Sequence, residues 1–213
     1  MLLIIQARSN SKRFKSKILY PIYGIPLIQH VINKVNKSKK IKELVVSTSK
    51  QKTDNELVNY LNSKKINFFR GSLNNVALRL YETAKKYNSK YFIRISGDSP
   101  LIDYRILNKA INLYKKSNDV DLITNVYPRT YPKGQSVEII KNSIIKKNLR
   151  KFSLFDKEHV TTFFYKNAKN FKIKNLRSKK KYSFKNLSVD TIKNLNNIIK
   201  KFDKKNFNNF RLK

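Results

Sequence analysis

An α/β protein with a mostly parallel sheet is what this sequence predicts, on three observations. Apolar runs of strand length alternate with segments of helical period along residues 1–126. Polar residues collect where those runs end. The four glycines, at 24, 71, 97 and 134, all fall between periodic segments, where positive φ or close backbone approach is commonly needed. Such alternation implies parallel strands joined by right-handed crossovers, helices on both faces, and a ligand crevice at the carboxyl ends of the strands. The chain has 213 residues, 40% of them hydrophobic, which suits a single domain on the usual scale of roughly 100 to 200 residues.

Leu2 to Gln6 is a short continuous apolar run, fit for a strand buried on both faces. A polar loop follows from Ala7 to Tyr20. Pro26 opens a helical pattern in which Leu27, Ile28, Val31, Ile32 and Val35 recur at three- to four-residue spacing. Glu43 to Thr48 reads as the second strand, Asp54 as a cap before Leu57, Val58 and Leu61, and Ile66 to Arg70 as the third strand. Asn74 or Asn75 caps a helix carrying Val76, Leu80, Tyr81 and Ala84. Tyr91 to Ile95 is the fourth strand, Asp103 caps the helix with Ile106, Leu107, Ala110 and Ile111, and Val120 to Val126 is the fifth strand.

After Tyr127 the rhythm changes. Tyr131-Pro132-Lys133-Gly134 is a turn, Ser136 to Ile140 a strand, and Ser143 to Lys151 and Glu158 to Tyr165 are helices. Phe171 to Leu176 and Phe184 to Val189 read as two more strands, with the charge run Arg177 to Lys181 as a solvated hairpin tip between them. Thr191 to Phe202 is an amphipathic terminal helix.

Composition removes several kinds of chemistry. Without Cys there is no disulfide, thiolate zinc site or cysteine nucleophile, and His30 and His159 are the only histidines, so any metal must sit on oxygen. No apolar stretch approaches the ~20 residues of a bilayer span, and Met1 to Ile5 is too short for a signal-peptide core; a cytoplasmic protein is expected. The net charge of +35 would ordinarily suggest a polyanionic partner. Yet 38 Lys against 10 Arg, with 26 Asn and 23 Ile, is the pattern of AT-rich coding. The cations are also spread along the chain without a stripe of interleaved aromatics, so no specific nucleic acid and no membrane are expected as partners.

Three places gather polar chemistry. Arg8 to Lys17 puts five cations and three hydroxyls after the first strand, either an exposed basic loop or a phosphate site held by side-chain cations, with no glycine-rich phosphate motif anywhere. Asp98, between Gly97 and Ser99-Pro100, suits a hard cation such as Mg²⁺ or a turn. Asp190 ends the run Leu187-Ser188-Val189 and is either the cap of the last helix or a second metal ligand beside Asp98. Glu138 and the pair Glu158-His159 are weaker signals.

Ile4-Ile5-Gln6-Ala7-Arg8 with Ser11, Arg13, Lys17 and Leu19, then Gly24-Ile25-Pro26-Leu27 and His30-Val31-Ile32, resembles the opening of the cytidylyltransferases that activate sugar acids. The acylneuraminate and 3-deoxy-manno-octulosonate enzymes are examples, and the likeness is greatest to the group named after spore coat polysaccharide biosynthesis protein F. Further matches follow in order: Phe69-Arg70-Gly71-Ser72 with Val76 and Arg79, Arg94 to Asp103, Asn125, Tyr131-Pro132 with Gly134 and Val137-Glu138, Glu158-His159-Val160-Thr161, and Val189-Asp190-Thr191. The resemblance implies a Rossmann-like, three-layer nucleotide-diphospho-sugar transferase fold. It also implies transfer of CMP from CTP to an acidic or keto sugar for surface polysaccharide. Residues 1–126 would form the nucleotide half of one nucleotidyltransferase domain, and residues 127–213 the sugar half, through which members of the group commonly form homodimers.

On this resemblance Arg8, Ser11, Arg13 and Lys17 hold the triphosphate and Arg70 and Ser72 approach the nucleotide. Asp98 and Asp190 hold Mg²⁺, Arg13, Lys17 and Asp98 do catalytic work, and Asn125, Glu138 and His159 face the sugar. Relatives usually carry Gly where Asn10 stands and Pro-Gly where Lys15-Ser16 stands. Acylneuraminate enzymes often carry a further Asp where Ser188 stands, which leaves the metal to Asp98 and Asp190. The same general fold also serves glycosyltransferases that use a ready nucleotide sugar, and a basic nucleic-acid-binding protein is the alternative of another class.

Overall fold

The structure, a computed structural model, describes residues 1–11 and 13–212. Its first part alternates as expected: β1 (Leu2–Gln6), two short paired strands β2 (Pro21–Ile22) and β3 (Ile25–Pro26), α1 (Leu27–Val35), β4 (Glu43–Ser49), α2 (Asn55–Ser63), β5 (Phe68–Gly71), α3 (Val76–Lys86), β6 (Tyr91–Ser96), α4 (Tyr104–Lys115) and β7 (Leu122–Thr124). Then come β8 (Glu138–Lys141), α5 (Asn142–Asn148), α6 (Leu154–His159), α7 (Thr162–Lys166), β9 (Ile173–Asn175), α8 (Ile192–Lys201) and α9 (Lys204–Asn208). Among the described residues no helix is long and apolar enough to cross a membrane.

The main sheet runs in the order β5-β4-β1-β6-β8-β7-β9. Only β8 runs against its neighbours; the other pairs are parallel. The continuous apolar run of β1 has the expected cause. Leu3 and Ile5 enter a core with α1, α2, α4 and α8, while Leu2 and Ile4 enter a second core with α3, α5 and α7. A strand covered on both faces has no solvated side to mark with polar residues. The chain leaves β1 toward β4 and β5, then returns to place β6 on the other flank of β1. That reversal puts a crevice beyond the carboxyl ends of β1 and β6.

Four local expectations are corrected. Asp54 makes no capping bond to α2; its buried carboxylate instead accepts from the Ser9 and Ser49 amides and the Ser49 hydroxyl. The helix expected over Glu158 to Tyr165 divides into α6 and α7 at Val160, whose φ is 49°. Phe184 to Val189 is not a strand of the sheet. It has a single bridge, Lys133 to Asn186, and its amides bond Lys133 O and, beyond the end of β6, Asp98 O, so it has no strand edge to extend. The charge run Arg177 to Lys181 accordingly lies in an exposed loop rather than at a hairpin tip. Three elements, the short strands β2 and β3 and the helix α9, carried no recognised signal; Phe207 of α9 is fully buried against His30, with ring centroids 4.8 Å apart.

Candidate functional site

A crevice of about 730 Å³ opens at the predicted place, between the loop after β1, the end of β6, α6 and the segment before α8. The loop after β1 is held from below: the Ser9 amide donates to Asp54 Oδ1 at 2.6 Å, and the Ser16 amide donates to Ser9 O at 3.0 Å. Ser16 keeps φ at 52°, the left-handed conformation that glycine adopts without the Cβ penalty. At the end of β6 the Gly97 amide donates to Gln6 O at 2.8 Å. A Cβ there would lie 2.9 Å from the Ala7 Cβ, so only glycine lets the two strand ends close. Lys12, one of the five cations counted in this loop, lies outside the described residues.

Asp98 and Asp190 come together at the crevice. The connection is backbone first: the Val189 amide donates to Asp98 O at 2.8 Å, and the Leu187 amide to Lys133 O at 2.8 Å. Gly134, at φ 85°, lets the returning segment pass, because a Cβ there would stand 2.5 Å from the Leu187 carbonyl carbon. Lys17 then lies between the two acids. Its Nζ donates to Asp98 Oδ2 at 3.1 Å, Val189 O at 2.9 Å and Asp190 Oδ1 at 3.4 Å. Arg13 reaches Asp190 Oδ1 at 3.3 Å with a side chain that is 68% exposed. Asp190 is at once a crevice residue and the neighbour of the real cap, Thr191, whose hydroxyl forms a capping box with Asn194.

Arg8 and Ser11 line the crevice, and Arg8 pairs with Glu158 Oε1 at 2.6 Å. His159 also lines it, tilted against Phe155 with ring centroids 4.2 Å apart. On the β6 wall Arg94 donates to Gln6 Oε1 at 2.9 Å and to Glu138 Oε2 at 2.6 Å. The other Glu138 oxygen accepts from the Tyr165 hydroxyl at 2.5 Å. Burial, then the Glu138 charge, pushes the Tyr165 phenol far above its ordinary range, so this hydroxyl stays protonated and donates. Tyr127 stacks on Tyr165 with centroids 4.9 Å apart.

Several expected site residues stand elsewhere. Arg70 is occupied by Ser49 O, Gln51 O and Asn55 Oδ1, and Ser72 Oγ accepts from the Asn75 amide; neither lines the crevice, which Leu73 and Asn74 reach instead. Asn125 is fully buried, donating to Gln135 O at 2.7 Å and accepting from the Val137 amide at 2.9 Å. It joins the chain after β7 to the chain before β8 and does not face a sugar pocket. Glu138, 4% exposed, stands one layer behind the wall that Arg94 forms. Behind the other wall the fully buried Arg79 donates to Ser72 O at 2.6 Å, and burial, reinforced by Arg8, holds its guanidinium down to about 10.

Gln6 and Arg94 line the crevice without having been singled out as site residues, and Glu158, a weaker signal in the sequence, lines it too. Arg94 had a signal: a lone charge inside the apolar run of β6 is rarely buried without a partner.

No group of three or more His, Cys, Asp or Glu stands together among the described residues. The oxygen donors that could hold a metal at the crevice are then the two carboxylates of Asp98 and Asp190. That fits Mg²⁺, which keeps several waters and commonly takes one or two carboxylates with substrate phosphates.

The family model described as Cytidylyltransferase matches residues 2–209. The chain belongs to that family. It is a nucleotidyltransferase. This cytidylyltransferase is 32% identical over 193 residues to an uncharacterized protein of Methanocaldococcus jannaschii, covering 89% of this chain and 78% of that one. It is 26% identical over 200 residues to the spore coat polysaccharide biosynthesis protein SpsF of Bacillus subtilis, covering 90% and 81%. Among solved structures, a cytidylyltransferase from Leptospira borgpetersenii serovar Hardjo-bovis superposes with a TM-score of 0.87 at 27% identity, covering 94% of this chain and 86% of that one.

Proposed function

We infer that this chain transfers CMP from CTP to a hydroxyl of an acidic or keto sugar and releases pyrophosphate, supplying an activated sugar for surface polysaccharide. The observation that carries the reading is the convergence of Asp98, Asp190, Arg13 and Lys17 in one crevice of a cytidylyltransferase. Residues 1–126 supply most of the nucleotide side, and residues 127–213 add Asp190 to it and His159 to the sugar side. The same reading puts the enzyme in the cytoplasm, with CTP and a small sugar as its partners and a homodimer as its assembly.

The sugar oxygen attacks the α-phosphorus in line. Its O–P bond forms as the bond from that phosphorus to the oxygen bridging to the β-phosphate breaks, and pyrophosphate leaves. Arg8, Ser11, Arg13 and Lys17 hold the triphosphate; their cations offset the charge that builds on the transferred and leaving groups and keep the α-phosphorus aligned. Asp98 and Asp190 would hold Mg²⁺, which supplies charge stabilisation at phosphoryl oxygens. His159, at the crevice, takes the proton of the sugar hydroxyl. Arg94, fixed by Gln6 and Glu138, forms the wall on the sugar side.

The test is pyrophosphate release with each nucleoside triphosphate, Mg²⁺ and a panel of keto and acidic sugars. CTP with one of these sugars is the expected pair. Release that depends on another nucleotide, or with neutral sugars alone, overturns that part of the reading.

A further inference from the structure

The ammonium of Lys17 occupies the space between the two carboxylates assigned to the metal. We propose that Lys17 is the resident cation of the Asp98–Asp190 pair, and that nucleotide loading is an exchange: Lys17 leaves the carboxylates for phosphate oxygens as the divalent cation takes its place. The proposal rests on the cytidylyl-transfer reading above and adds an order of events to it. The metal alone binds poorly, and metal and nucleotide bind as a coupled pair.

Four observations carry it. The three Nζ protons meet three acceptors: Asp98 Oδ2, Val189 O and Asp190 Oδ1. The Lys17 side chain is only 10% exposed, whereas Asp98 and Asp190 are 21% and 34% exposed, so the acids open to the crevice and the ammonium sits among them. The second oxygen of Asp98 is held by a serine, Ser99 Oγ donating to Oδ1 at 3.2 Å, while Ser188 Oγ, which donates to Asn186 Oδ1 at 2.7 Å, stands 3.4 Å from Asp190 Oδ2. Asp98 is therefore oriented without Lys17, and in each acid it is the other oxygen that turns toward the ammonium. Finally, the pair recruits a second cation, since Arg13 also reaches Asp190 Oδ1.

A divalent ion on the same two oxygens would lie beside the ammonium with no anion between them. A triphosphate entering along Arg8 and Arg13 supplies that anion and gives the freed ammonium new acceptors. Both cations are then paired, and each ligand raises the affinity for the other by the same factor.

The test is Mn²⁺ binding to the full chain, read by the loss of the free-ion EPR signal, without nucleotide. Lys17→Met should bind Mn²⁺ at least 10-fold more tightly than the wild type. Lys17→Gln should show the same gain, and adding Asp98→Asn or Asp190→Asn to Lys17→Met should remove it. Thermal melts by circular dichroism establish that the variants are folded. Mn²⁺ affinity in both Lys17 variants equal to or below the wild-type value overturns the exchange. Calorimetry of Mn²⁺–CTP binding separates this failure from that of the parent reading. If Asp98→Asn weakens that complex while the Lys17 variants gain nothing, the metal site stands and the exchange falls. If the Asp variants alter neither measurement, both fall.

Discussion

Arg13 and Arg94 line the same crevice in opposite states of pairing. Arg13 is 68% exposed and makes one long contact of 3.3 Å, while Arg94 is 16% exposed and holds a buried carboxylate at 2.6 Å as well as Gln6. The loop wall therefore carries charge that an incoming triphosphate can claim, and the β6 wall carries charge already committed to scaffold. An exposed ion pair contributes little to stability, about 0 to 1 kcal/mol, whereas removing one partner of a buried pair leaves an uncompensated charge and costs about 3 to 5 kcal/mol. Loop-wall variants should lose turnover and keep their fold; β6-wall variants should lose stability.

The largest effect is expected where the two walls meet. Asp98→Asn and Asp190→Asn should each reduce CTP-dependent turnover roughly 100- to 1000-fold without lowering the melting temperature, because the amide keeps the shape and removes the charge. The double variant should cost little more than the worse single one, since groups acting through one ion are not additive. Wild-type-like pyrophosphate release in either single variant would remove that acid from the loop-wall side of the comparison.

Next is Glu138→Ala on the β6 wall, which should destabilise the fold by about 3 kcal/mol or more in urea unfolding, as Arg94 and the Tyr165 hydroxyl lose their acceptor together. An unchanged urea midpoint would make this wall no more committed than the loop. Arg13→Ala should raise the CTP KM or lower kcat roughly 10- to 100-fold, the cost of one charge-assisted contact of about 1.5 to 3 kcal/mol. Its urea midpoint should not move, and unaltered CTP kinetics would take Arg13 out of the site.

The smallest effect concerns a cation away from both walls. Lys34 donates to Phe207 O and Asn208 O at the end of α9. Burial, helped by nearby Lys37, lowers its pKa from 10.5 to about 8. Between those values the unfolded chain binds more protons at this group than the native one, so its contribution makes stability rise with pH from about 8 toward 10.5. The wild type should therefore gain stability over Lys34→Met as pH rises from 7 to 10. A pH-independent difference in melting temperature between the two would show that burial does not tax this charge.

How far the sequence foretold these walls differs between them. The loop wall was legible because its residues are close together in the chain, between Arg8 and Lys17, at the end of an apolar run. Asp98 was legible for the same reason, standing beside the only glycine near β6. The β6 wall was read with errors: Glu138 and Asn125 were expected to face a sugar, and both have their polar atoms satisfied inside the protein. Arg70 and Ser72 had the right loop and the wrong direction. A residue's type and its place on a strand do not reveal which neighbour will satisfy it, because those partners, up to 44 residues away, are chosen by the fold.

The alternation of buried runs and helical periods settled the α/β class, since each strand must be apolar on both faces and each helix on one, and these are properties of local order. The absence of Cys confined metal chemistry to oxygen for the same kind of reason. The joining of Asp98 to Asp190 was not local. It required a segment that ends 92 positions later to return as loop rather than strand, past Gly134 and onto the Asp98 carbonyl. The commitment of Arg94 to Glu138 likewise depended on β8 running antiparallel to β6. Long-range hydrogen bonds and close backbone approaches depend on how the whole chain packs, and periodicity carries no record of them.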